Sequence, residues 1–526
     1  MAGTVVPNVN LFTGLTGGST SNCDAITDWS GTPTLDIETF VQGTGAMSKK
    51  VSNTTSIHVF SLVSALDLSN TQLYVWAACG SIGILGTKAA GGFRIRVEDA
   101  SANWGEWYMA GKDTWTGAWD CFMIHTTTGF SANSATLPTM TAITKVGVVF
   151  YTTATAAKIN CWWDALRYGT GLAITAGTEG DPATFQDFVN AEGTVVNKWG
   201  VITVAEGILQ VQGQLDFGST ISGSATYFKD ISKVLVFRDR LVPATFYRML
   251  AQGNIGATTK VRFGTKSGES GISGCMFRSA GAAKFQFTAI DSNITELGIY
   301  GSIFFDAGTV SLPAASGTAR EVLNTNFESC AKVLADTCKI QNCNFISSDA
   351  NAILINDDPH NVTDCKFIGC PRGVELDIVG DGSYDFYNLQ FSGCTYDVNN
   401  SSSGTLTVNK FNGSNPSTYI GSIVTFVGAV DLKVTVVDKN NQPIGLAQTA
   451  IYRASDNAEL MNKDTDVTYG TALQIYTGST DPPVDIYLRI RKSSVGGTKY
   501  IPASTIGVIN PSGFSIKMTL QEDPNA

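Results

Sequence analysis

The sequence predicts an all-β chain: an N-terminal jelly-roll sandwich, a central right-handed parallel β-helix and a C-terminal Ig-like sandwich. Three observations carry that reading. Between about Gly271 and Phe411 a polar residue or Cys, one further residue and then Phe recur, often followed three places later by Cys. Phe305, Phe327, Phe345, Phe367, Phe391 and Phe411 lie 22, 18, 22, 24 and 20 residues apart, the period of a β solenoid with one coil per repeat. Short alternating apolar and polar runs fill both flanks, while helical periodicity is nearly missing. Finally, 54 of 526 residues are Gly and only 15 % are charged, with Ser, Thr and Asn filling the turns, a composition of β-rich structural proteins.

Taken in order, residues 1–20 are Gly- and Thr-rich and read as an arm, disordered or ordered on an assembly partner. Residues 21–175 carry strand-like runs such as Phe93-Arg94-Ile95-Arg96-Val97 and Val146-Gly147-Val148-Val149-Phe150, together with eight of the nine Trp. They suit a two-sheet, lectin-like jelly-roll. Asp181-Pro182 before Phe185, Phe188 and Val189 is a helix start, with Asp181 as cap, placed to cover the open first coil of a β-helix over 176–418. Inside that β-helix a second ladder, Val333, Ile353, Val374 and Val398, keeps step with the Phe ladder, so equivalent side chains should stack in the interior. After the linker at Asn415-Pro416, residues 425–526 hold about seven short strand-like runs, the pattern of an Ig-like sandwich without a Cys…Trp…Cys signature.

Eleven Cys occur, seven of them (Cys275, Cys330, Cys338, Cys343, Cys365, Cys370 and Cys394) at coil spacing. They read as small interior thiols, reduced, in a chain made in a cytoplasm. The first residues lack the charged and apolar regions of a signal peptide, and no run reaches a membrane-spanning length, so neither export by a cleaved signal nor membrane insertion is expected. A net charge of −10 without a Lys/Arg cluster argues against nucleic acid. His58, His125 and His360 lack metal-ligand spacing, and neither a P-loop nor a nucleophile elbow is present, so no metal and no cofactor is expected.

Two chemistries remain. Glu375 and Asp377 alternate with Val374, Leu376 and Ile378 and should share one outward face. At roughly 7 Å apart, an i, i+2 pair suits the acid/base carboxylates of a glycosidase. Asp357 or Asp358 would add a third carboxylate from the neighbouring coil. The plainer alternative is an ordinary polar outward face. Trp104, Trp107, Tyr108, Trp115 and Trp119 fall within sixteen residues and form the candidate glycan site, because indole faces stack on the apolar faces of sugars. Core packing is the competing reading, and of the adjacent Trp162 and Trp163 at least one must face inward.

The order of modules, with Gly92-Phe93-Arg94-Ile95-Arg96-Val97, Asn103-Trp104-Gly105-Glu106-Trp107-Tyr108 and Asp164-Ala165-Leu166-Arg167-Tyr168, resembles virion surface proteins of tailed bacteriophages. Val436-Val437-Asp438, Pro443-Ile444 and Ala450-Ile451-Tyr452 resemble the Ig-like or transthyretin-like modules of phage surfaces. The resemblance implies a non-enzymatic structural protein of the virion surface, homotrimeric, partnered by other virion proteins and by host-surface polysaccharide, in a tail fibre or spike. Its alternatives are a head fibre or decoration protein that stabilises the capsid, and a polysaccharide-degrading tailspike.

Overall fold

The computed structural model describes residues 3–51, 55–87, 89–153, 158–175, 177, 181–192, 198–205, 208–218, 225–238, 248–251, 259–266, 274–280, 284–289, 294–312, 319–356, 361–377, 380–428, 430–476, 483–492, 498–510 and 513–524. The chain divides into two compact units, Met1–Arg320 and Glu321–Ala526. Strand follows strand through both, and the described residues hold a single α-helix, Phe185–Glu192.

The first unit opens with the jelly-roll. Ala46–Val51, Ile159–Ile174, Gln72–Cys79 and Asp120–His125 pair antiparallel in one sheet, which Ile159–Ile174 continues by pairing in parallel with Gln214–Phe217. The other contains Thr55–Leu66, Ile143–Tyr151, Phe93–Asp99 and Trp104–Ala110. Alternation does the sorting: Phe93, Ile95 and Val97 enter the core, while Arg94, Arg96 and Glu98 take the other face. Between the sheets Trp29 meets Phe60 at 5.0 Å and Trp163 at 5.6 Å, and Phe93 lies on Phe150 at 4.9 Å. Of the adjacent tryptophans, Trp163 is core and Trp162 is half-buried. The N-terminal arm expected over 1–20 is corrected: Val5–Leu11 is a strand antiparallel to Ile159–Ile174, with Val5 opposite Ile174 and Leu11 opposite Arg167. Those residues alternate in burial like any half-buried strand, which the Gly- and Thr-rich surroundings obscure.

The helix expectation shifts by one turn. Thr184, not Asp181, starts the helix: its backbone N–H donates to Asp187 Oδ2 at 2.8 Å, the reciprocal half of a capping box. Phe185 and Phe188 are buried as expected, 4.7 Å from Phe228 and 6.2 Å from Phe217 respectively, and so close the interior of the first coil. The coils that follow are parallel on three faces. Gln214–Phe217 pairs with Arg248–Ala251, Ala225–Phe228 with Thr259–Phe263, and Asp230–Arg238 with Cys275–Ala280. Here the Phe register is corrected by one residue. Phe304, in line with Phe277, is the interior side chain, and Phe305 lies outside with the Arg278 guanidinium 4.9 Å from its ring centre.

In the second unit the coils become regular. Phe327, Phe345, Phe367 and Phe391 stack in register inside, with ring centres 5.1, 4.9 and 4.8 Å apart. Val333, Ile353, Val374 and Val398 form the second ladder in strict register, all fully buried. Phe411 departs from the expected ladder: it belongs to another face and lies on Tyr387 at 4.7 Å. The coil cysteines are free thiols, buried except for the half-buried Cys394, and several donate to carbonyls of their own turn, as Cys365 Sγ does to Thr363 O at 3.1 Å. Beyond the coils, a three-stranded and a four-stranded sheet enclose Leu432, Val434, Ile451, Leu488 and Ile490, the Ig-like sandwich.

Candidate functional site

Of the five aromatic residues proposed from their clustering, the structure buries three, Trp107 and Trp115 in the core and Tyr108 on the Arg94 face of the sheet. Trp107 is 1 % exposed, donates its indole N–H to Thr128 O at 2.7 Å and packs on Phe130. Trp115 donates to Ala118 O at 2.9 Å and meets Phe122 edge-on, and Tyr108 is buried with its hydroxyl 3.0 Å from Thr114 Oγ1. Trp104 is half-buried beneath the Arg96 guanidinium, 4.3 Å from its ring. That arginine belongs to a layer of ion pairs on the outer sheet face, in which Arg94 and Arg96 both reach Glu106, at 3.2 and 2.7 Å, and Lys145 reaches Glu98 at 3.0 Å. Glu106 is fully buried there, so the layer is a packed polar surface rather than an open platform.

Trp119 alone reaches a cleft, and there it meets a partner that the clustering does not contain. The cleft, about 500 Å3, lies between the jelly-roll strands and the first coil, lined by Trp76, Trp119, Asp120, Lys198, Thr203, Gln210 and Arg238 among others. Trp76 and Asp120 belong to neighbouring strands, with Trp76 opposite Cys121 and Ala77 opposite Asp120. Leu73, Val75 and Ala77 point into the core, so Trp76 falls on the opposite face of its strand. That parity is readable in the sequence; the approach of Gln210 and Arg238 from coil strands is not. Thr203 and Gln210 face each other across an antiparallel pair, and Arg238 Nη1 approaches Asp120 Oδ1 at 3.6 Å.

The wall segment over 198–202 is held by buried polar groups. Glu192, at the end of the helix, accepts the backbone N–H groups of Gly200 and of Ile202, the latter at 2.9 Å, and burial pushes its carboxyl up to about 8. Gln212 donates to Cys121 O at 3.0 Å and Gly200 O at 2.7 Å, tying jelly-roll to coil. Lys198 O receives the Trp76 indole N–H at 2.9 Å, which fixes the ring's orientation. Gly200 has a φ of +79°, and a Cβ there would stand 2.0 Å from Cys121 Sγ, so only glycine lets the segment pass this close. The cleft therefore offers two indoles, one of them anchored, together with amide and hydroxyl groups and an ion pair. Those groups can hold a ring with one apolar face and several hydroxyls.

Of the carboxylates proposed for catalysis, the structure describes Glu375 and Asp377. Glu375 Oε2 accepts from Lys332 Nζ and from Asn351 Nδ2, both at 2.8 Å, so the neighbouring coils occupy it with an ion pair and an amide. Asp377 lies past the end of strand Arg372–Leu376 and is exposed. Asp357, Asp358 and His360 lie outside the described residues. His58 is a core residue stacked on Trp163 at 4.6 Å. Among the described residues no three His, Cys, Asp or Glu side chains form a metal-binding group, and no helix is long and apolar enough to cross a membrane.

No family model and no curated protein matches the chain. Among solved structures it is similar to an exo-β-agarase at a TM-score of 0.21 and 9 % identity, over 28 % of this chain and about a quarter (24 %) of that protein. It is similar to the family 30 carbohydrate-binding module of a cellulosomal cellulase of Clostridium thermocellum at 0.19 and 16 %, over 32 % of this chain and 94 % of the module. To the catalytic domain of an α-1,3-glucanase the values are 0.18 and 10 %, over 82 % and 78 %. Likeness at these TM-scores carries no weight for chemistry.

Proposed function

We propose that this chain is a glycan-binding protein of a bacteriophage-type virion surface, and that the Trp76–Trp119 cleft receives host polysaccharide. The observation that carries the reading is the cleft itself: two indoles, Trp76 on a jelly-roll strand and Trp119 just before the neighbouring strand, the first locked by Lys198 O, set beside Gln210, Thr203 and the Asp120–Arg238 pair. Its two carboxyl groups are already engaged, Asp120 by Arg238 and Glu192 by backbone N–H groups, which suits binding better than acid/base cleavage. Placement on a phage particle, as a homotrimeric tail fibre or spike or as a head fibre or decoration protein, rests on the sequence resemblance. Labelling on intact particles separates those positions.

The test is calorimetric titration of the full chain with capsule or lipopolysaccharide from the host surface. Trp119→Ala should weaken binding by about 30-fold, the factor for losing roughly 2 kcal/mol at a tryptophan anchor. Equal affinity in the variant and the wild type would sink the cleft as the site. Release of reducing ends by the purified chain would move the reading to a depolymerase.

A further inference from the structure

The outer face of the four-stranded sheet in the Ig-like sandwich is built differently from the rest of the surface. Register places Gln448 opposite Arg491, Ala450 opposite Arg489 and Tyr452 opposite Tyr487, with Ser504 beyond Arg489 and Asn462 beyond Ala450. Their strand neighbours Ile451, Leu488 and Ile490 are buried, so all these side chains share the outward face. All of them but Tyr487 line a groove of about 540 Å3.

Tyr452 and Tyr487 stack with ring centres 5.3 Å apart and planes 22° from parallel. The Arg489 guanidinium sits 5.2 Å from the Tyr487 ring centre and 5.8 Å from that of Tyr452. Arg491 is steadied by its Nε donating to Gln448 Oε1 at 2.5 Å. No carboxylate lines the groove among the described residues; Asp464, opposite Gln448 in the register, is not part of its lining. In a chain of net charge −10 this is a local cationic site. A guanidinium held against aromatic faces keeps its N–H edge free, and that edge matches a carboxylate in a two-pronged hydrogen bond.

We propose that this groove is a second glycan site, specific for carboxylate-bearing sugars of an acidic polysaccharide. Arg489 and Arg491 take the carboxylate, the Tyr452 ring takes the apolar face of the sugar, and Ser504 takes a hydroxyl, while Gln448 and Asn462, hydrogen-bonded to each other at 3.0 Å, steady the arginine side of the groove. The chemistry favours a polysaccharide over a nucleic acid: a phosphate chain calls for a stripe of basic groups, and this face pairs two arginines with neutral hydrogen-bonding groups. The site shares no residue with the tryptophan cleft and does not depend on it.

Affinity electrophoresis of the full chain through gels containing polygalacturonate, alginate, neutral dextran, dextran sulfate or single-stranded DNA tests it. Retardation is expected in at least one of the two uronate gels and not in dextran. Arg489→Ala with Arg491→Ala should weaken uronate binding at least tenfold, Arg489→Lys should keep part of it, and Trp119→Ala should leave it unchanged. Both arginines are exposed, and matching circular dichroism melts establish that the variants fold. The proposal is overturned by absence of retardation in both uronate gels, by equal binding of the double variant, by loss of uronate binding in Trp119→Ala, or by equal or stronger retention by dextran sulfate or DNA.

Discussion

The coils of the second unit and those of the first fill their interiors with the same residue in opposite geometries. In the second, Phe327, Phe345, Phe367 and Phe391 lie nearly flat on one another, with planes 14°, 7° and 10° apart. In the first, Phe263 meets Phe217, Phe277 and Phe287 at 67°, 85° and 76°. The flat stack arises because one face supplies the same residue at every turn, so the spacing of paired strands, about 4.8 Å, sets the spacing of the rings. The edge-on cluster arises because rings come from three faces and meet across the interior, where edge-to-face contact suits their quadrupoles. Repetition along one face makes a ladder; convergence from several makes a knot.

The largest effect expected from that difference comes from emptying each arrangement. Phe263→Ala and Phe367→Ala each delete a fully buried ring, worth about 3–5 kcal/mol with the cavity that remains. Phe263 should fall at the upper end, since it loses partners on three faces, whereas Phe367 loses two ring partners along one ladder. Denaturant unfolding gives the size and hydrogen exchange gives the spread. Faster exchange should stay within the coils next to Phe367, as nearest-neighbour coupling in a solenoid requires, and should cross all three faces around Phe263. Equal spread in the two variants would remove the distinction between ladder and knot.

A middle-sized effect separates the units by pH, because the first unit carries two buried carboxyls and a buried imidazole with displaced titration. Burial raises Asp164 to about 7, despite N–H donors from Val41 and Gln42, and Asp24 adds to the rise. Glu192 is raised to about 8, moderated by the backbone donors and by Arg167. Burial lowers His58 to about 4. Unfolded carboxyls release their protons near pH 4, before the folded ones, so the stability these two acids leave in place at low pH is lost as pH rises through 7 and 8. Unfolded His58 takes up its proton near 6.5, before the folded form, so its share is lost as pH falls through 6.5 towards 4. Each group changes stability by at most about 1.4 kcal/mol per pH unit while it titrates. Between about pH 4 and 6.5 the two acids outweigh the one imidazole, so thermal melts should fall as pH rises from about 4 towards 8, and this fall is the alkaline limb. Glu192→Gln and Asp164→Asn should flatten the alkaline limb, and an unchanged limb in both variants would rule this origin out.

The same contrast accounts for what the sequence makes legible. The ladder is readable because Phe345, Phe367 and Phe391 recur with an equal companion ladder, so register follows from counting. Phe305 misleads because Phe304 stands beside it and only pairing with Phe277 decides which one is inside. Phe411 misleads because its interval matches although its face does not. In the jelly-roll, clustering of Trp104, Trp107 and Trp115 reflects a dense core and an arginine-covered face, while the cleft is assembled from Trp76, Trp119, Gln210 and Arg238, far apart in the chain. Parity alone singles out Trp76, and nothing local announces Arg238. The Arg489–Tyr452 face was likewise hidden, since its strands look ordinary until their register brings the tyrosines together.

The smallest effect tests why the ladder's period begins with Asn. Asn324, Asn342, Asp364 and Asn388 all adopt left-handed backbone, with φ of 53°, 54°, 55° and 50°. Their side chains also link along the coils: Asn342 Nδ2 donates to Asn324 Oδ1, and Asn388 Nδ2 to Asp364 Oδ1 at 2.9 Å. Two causes could select Asn, its tolerance of positive φ or its amide ladder, and a pair of substitutions separates them. Asn342→Ala loses both and should cost about 1 kcal/mol, within the roughly 1–2 kcal/mol that left-handed backbone costs a residue with a Cβ. Asn342→Gly loses the amide but adopts this backbone freely, so if conformation dominates it should stay within about 0.5 kcal/mol of wild type. The position is exposed, where water replaces a lost side-chain hydrogen bond, and that favours conformation as the cause. Should Gly prove as costly as Ala in denaturant unfolding, the amide ladder is the selected feature, and the motif's first residue is there for its side chain rather than for its turn.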